Sequence, residues 1–84
     1  MPLIIVERSF EPPLTEAELQ AVDGRIASCR ENYGVRYLRS YWSADRRRMI
    51  CQYEAADTAS VRNLQHEAEA PFDRAWAADI IGEQ

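Results

Sequence analysis

Two aromatic, alternating stretches, Val35–Trp42 and Met49–Glu54, lie either side of a short polar segment and constrain this chain more than any other feature. Period-two alternation around Ser43-Ala44-Asp45-Arg46 predicts one β-hairpin. With Ala44 and Asp45 at the turn centre, Leu38 faces Cys51, Ser40 faces Met49 and Trp42 faces Arg47. One face of the ribbon then carries Leu38, Ser40, Trp42, Met49, Cys51 and Tyr53. The other carries Tyr37, Arg39, Tyr41, Ile50, Gln52 and Glu54. A one-residue bulge would exchange part of these two sets.

The hairpin is bracketed by two helical patterns. Thr15-Glu16-Ala17-Glu18 reads as a capping box, in which the Thr hydroxyl and the Glu carboxylate satisfy each other's backbone amides. Leu19, Val22, Ile26, Cys29 and Tyr33 follow at alternating three- and four-residue spacings, one apolar stripe of a helix that Gly34 closes. Asp57 or Thr58 starts a second helix with Val61, Leu64 and Ala68 on one side, and Pro71 ends it. Leu3–Arg8 is a β-rich run terminated by Pro12-Pro13. Residues 75–81 fit helix or strand, and the short distance from Pro71 to Gly82 favours a strand. The order β-α-β-β-α-β is the ferredoxin-like plan, α+β, with both helices on one face of a four-stranded antiparallel sheet.

At 84 residues the chain is expected to form a single domain, residues 1–84, with a modest core that oligomerisation would supplement. The hairpin face away from the helices keeps Tyr37, Tyr41 and Ile50 among polar groups. A C2 homodimer covering that open sheet face is the expected remedy. A net charge of −4 argues against a nucleic-acid partner. No apolar run reaches membrane-spanning length, and Met1–Glu7 lacks the basic start of a signal peptide, so a cytoplasmic protein is expected. Cys29 and Cys51 have neither disulfide-framework nor zinc-finger spacing and read first as buried thiols.

No phosphate loop, nucleophile elbow or zincin motif occurs, so candidate functional residues must be taken singly. His66 is the only histidine and lies off its helix's apolar stripe: either an exposed side chain or an imidazole ligand or proton shuttle. Cys51 is either a small core hydrophobe or a thiolate donor. Glu7 and Glu54 belong to strands expected to be adjacent at the sheet centre, where carboxylates are paired or coordinating. Arg39 is the nearest partner for Glu54, and Tyr41 could donate a hydrogen bond to something held between two sheets.

Ile5-Val6-Glu7-Arg8-Ser9-Phe10, Leu38–Tyr41 with Ser43–Arg47, Met49–Ala55, and His66 through Pro71–Trp76 together resemble a family of small bacterial proteins of uncharacterised domain type. Some of its members are nickel-binding or nickel-responsive. The resemblance spans nearly the whole chain. It implies a ferredoxin-like, dimeric α+β-barrel architecture and nickel as cofactor. Three functions are carried forward. The first is a homodimeric metal-binding module with ligands among His66, Cys51, Glu54 and Glu7. The second is a cofactor-independent oxygenase or isomerase whose cleft is lined by Tyr37, Arg39, Tyr41 and Glu54, with Arg39 and Tyr41 holding the bound molecule. The third is an interaction domain anchored by Tyr41, Trp42 and Trp76.

Overall fold

The computed structural model describes residues 1–82. Its strands are β1 (Leu3–Ser9), β2 (Arg36–Trp42), β3 (Arg48–Glu54) and β4 (Arg74–Ala78), with helices α1 (Glu16–Cys29) and α2 (Thr58–Glu67). The sheet runs β2-β3-β1-β4, antiparallel throughout. This is the ferredoxin-like α+β arrangement expected from the sequence, with the ambiguous C-terminal run supplying a strand.

Each helix begins where a side chain can replace missing backbone partners. Thr15 Oγ1 accepts from the Glu18 amide at 3.2 Å while Glu18 Oε1 accepts from the Thr15 amide at 3.0 Å. Asp57 Oδ1 does the same for the Ser60 amide at 2.8 Å. Hydrogen bonds from the Ser60 side chain and backbone hold the Asp57 carboxyl below its usual pKa. The first helix tightens at Arg30 into a 3-10 turn that Gly34 closes at φ 63°. A left-handed residue at that point is what glycine accommodates without strain. Thr15→Ala removes one half of a reciprocal cap and should cost about 1 kcal/mol, read as a lowered urea midpoint with an unchanged slope.

Ile4 and Val6 of β1 and Met49, Cys51 and Tyr53 of β3 point to the helices and are buried with Ile26, Val61, Leu64 and Ala75. Leu19, Val22, Cys29 and Tyr33, the remainder of the α1 stripe, are half-buried against this core.

The hairpin register differs from the one expected. Ser40 pairs with Cys51 and Trp42 with Met49, and the chain reverses through five residues, Ser43–Arg47. Ser43 and Asp45 build this loop: Ser43 Oγ accepts from the Arg48 amide at 2.9 Å, and Asp45 Oδ1 from the Arg47 amide at 3.0 Å. The pairing moves by two residues, so each side chain near the turn keeps its expected face. Farther along, a bulge between Tyr37 and Arg39 breaks the ladder. Beyond it Tyr37 pairs with Tyr53, their ring centroids 5.7 Å apart on the helix side. Leu38 instead borders the open face beside Leu3 and Glu54. Tyr37 and Leu38 have exchanged the faces predicted for them.

Candidate functional site

The open face of the sheet brings together the residues that alternation directed away from the core. Glu7 of β1 receives the Trp76 indole N–H at 2.7 Å and lies 3.4 Å from Arg74 Nε. Glu54 pairs with Arg36 at 3.2 Å rather than with Arg39. The bulge accounts for this correction: it sets Arg36 opposite Glu54 and Arg39 opposite Gln52, whose Oε1 accepts from Arg39 Nη1 at 2.9 Å. Tyr41 stands beside Ile50, with 57% and 39% of their surfaces exposed, and Trp76 is 45% exposed across the sheet. Arg39 and Tyr41 therefore share this face with Glu54. Tyr37 does not, so the cleft expected to hold all four keeps only three.

The four candidate metal ligands do not converge within the chain. Glu54 is in register with Leu3 and Ile50 with Glu7, so the two carboxylates start four residues apart along the sheet, about 13 Å. Cys51 projects to the opposite face, is buried, and accepts a hydrogen bond from Ser40 Oγ at 3.2 Å. His66 is exposed on α2, its ring 5.6 Å from that of Phe72. Among the described residues no group of three or more His, Cys, Asp or Glu side chains is placed to hold a metal ion. The described residues of one chain therefore do not by themselves assemble the several nitrogen, oxygen or sulfur donors in fixed geometry that a nickel site requires.

The remaining polar groups have identifiable work. Arg46 lies 4.0 Å from the centre of the Trp42 ring, and Arg47 pairs with Glu11 at 2.7 Å. Arg46 and Arg47 thus have partners although both side chains stay exposed. Sequence alternation missed one group. Arg8 continues the parity of Ile4 and Val6, and only 5% of it is exposed. Its guanidinium donates to Gln65 Oε1 at 2.6 Å and to the Pro71 carbonyl at 2.9 Å.

Residues 5–77 match the family described as nickel responsive protein, SCO4226-like. The chain belongs to that family. Its fold is also that of SCO4226 from Streptomyces coelicolor A3(2), whose crystal structure superimposes with a TM-score of 0.83. That likeness covers 95% of this chain and 99% of the other at 10% identity, so it speaks for the fold alone. No curated protein matches the sequence. In this SCO4226-like chain no described helix is long and apolar enough to cross a membrane.

Proposed function

We propose that the protein is a homodimeric nickel-binding module that takes up the ion without transforming a substrate. Membership of a nickel-responsive family over residues 5–77 carries this reading. The scattered donors give it a specific form. Glu7 and Glu54 both lie on the face left open by the helices, and a second copy packed there would double the carboxylates available. Their ion pairs with Arg74 and Arg36 are partly exposed, and pairs of that kind are worth at most about 1 kcal/mol, so a divalent cation can displace the arginines. His66 is the one imidazole, lies outside that face and supplies a separate nitrogen donor. Cys51 is the weakest of the four, because the sheet separates it from both carboxylates.

Two unpaired thiols suit a reducing compartment, and a cytoplasmic location is part of this proposal. Calorimetric titration of metal-free protein with nickel and with zinc tests the proposal. Binding tighter than millimolar is expected, weakened by His66→Ala if the imidazole is a ligand and by Glu7→Gln or Glu54→Gln if the interface carboxylates are. Affinity no tighter than millimolar, indifferent to all three changes, would overturn it.

A further inference from the structure

On the helix side, away from every residue offered above as a nickel ligand except Cys51, α1 stands off the hairpin and leaves a hollow of about 160 Å³. The hollow is a groove open to solvent on one side, where Asp23, Ala27 and Tyr37 are exposed, and floored by the buried Cys51 and Tyr53. Small side chains face one another across it: Ala27 from α1, Ser40 and Cys51 from the hairpin. The bulge then turns Tyr37 inward, and its ring closes one wall together with Tyr53.

The floor is internally satisfied. Tyr37 Oη lies 2.8 Å from Ser40 Oγ, which in turn donates to Cys51 Sγ. The walls are different. Asp23 borders the hollow from α1 and Arg30 from the start of the 3-10 turn that follows, two helical turns and about 10 Å farther along the axis. Neither enters any ion pair among the described residues. Asp23 is exposed overall, and partial desolvation on the groove side pushes its carboxyl pKa up, with Arg8 pulling it the other way.

A carboxylate and a guanidinium, opposite in charge, unpaired and flanking an apolar hollow between tyrosine rings, select a molecule carrying both complementary charges and an apolar tail. We propose that this hollow is a binding site for a small free α-amino acid with an apolar side chain, its ammonium on Asp23 and its carboxylate on Arg30. The tail lies against Ala27 and the tyrosines. The inference is independent of the nickel reading, because neither charged residue belongs to the proposed metal site.

The test is an amide-resonance titration of chelator-treated protein with L-leucine, and with 3-methylbutylamine and 4-methylpentanoate, which each keep one of its charges. Saturable shifts at Ala27, Ser40 and Cys51 are expected with leucine. Each single-charge analogue should bind about tenfold more weakly, as loss of one charge-assisted hydrogen bond dictates. Asp23→Asn and Arg30→Gln should each weaken leucine by a similar factor, and Arg30→Gln should do so without lowering the thermal midpoint. Ala27→Leu should fill the hollow and abolish binding. Absence of saturable shifts at those amides in the wild-type protein would overturn the site, and analogues binding as tightly as leucine would overturn its assignment to a zwitterion.

Discussion

Gln65→Leu should destabilise the protein by about 3 kcal/mol, because it removes the closest acceptor from a buried guanidinium. Gln65 is fully buried and Arg8 nearly so. The other partners of Arg8 are the Pro71 carbonyl and, at the limit of a hydrogen bond, the Tyr53 hydroxyl at 3.5 Å. None of these partners is charged, so the cation depends on oriented dipoles, with Asp23 exerting a longer-range attraction. Against a total stability of about 5–15 kcal/mol, losing the shortest of these bonds is a large fraction. Arg8→Met should also destabilise, by leaving Gln65 Oε1 and the Pro71 carbonyl without donors. The combination Arg8→Met/Gln65→Leu exchanges the polar pair for an apolar one and should recover much of either loss. Urea unfolding of the four proteins at one fixed concentration closes the cycle. Strictly additive losses would show that the two residues do not act as a unit.

Ile50→Glu should convert the proposed dimer to monomers. Ile50 occupies the middle of the open face, between Glu7 on one neighbouring strand and Tyr41 on the other. In a two-fold assembly each interface residue counts twice. Ile50 has 39% of its surface left to bury, a gain of about 0.6–1.2 kcal/mol, so the pair accounts for roughly ten- to fiftyfold in the dissociation constant before the new charges are considered. The introduced carboxylates add repulsion to Glu7 within the sheet. Ile50→Thr keeps a β-branched side chain and separates loss of apolar contact from that repulsion. Sedimentation equilibrium over a range of concentrations reads the result. A wild-type protein that stays monomeric throughout, or an Ile50→Glu protein as dimeric as wild type, would dispose of the face-to-face assembly.

The parts of this architecture that are local in sequence were legible there. Thr15 and Glu18 announce their reciprocal cap, and the stripe from Leu19 to Tyr33 announces a helix, because both depend on residues a turn apart. The bulge left no such mark: Tyr37-Leu38-Arg39 contains no glycine and keeps its alternation, and only the pairing with β3 reveals the extra residue. Arg8 was half legible. Its parity with Ile4 and Val6 points inward, but a charge at the end of a strand reads as an exit to solvent until Gln65 is brought across from α2. The separation of Glu7 from Glu54 was not legible at all, since it depends on the register between β1 and β3, distant segments joined only by the fold. Asp23 and Arg30 carry no mark in the sequence either, because a helix's polar side gives no sign of which residues border a gap.

The bulge has one more consequence, at the rim of the sheet. β2 is an outer strand, and its free side offers backbone groups with which another chain's strand could align. An extra residue in the middle of that border twists it and throws its donors and acceptors out of step. Arg36 and Arg39, both exposed on either side of the irregularity, add charge to the same stretch. Growth of the sheet sideways from this edge is thereby discouraged, which leaves the open face as the surface that the proposed dimer would use.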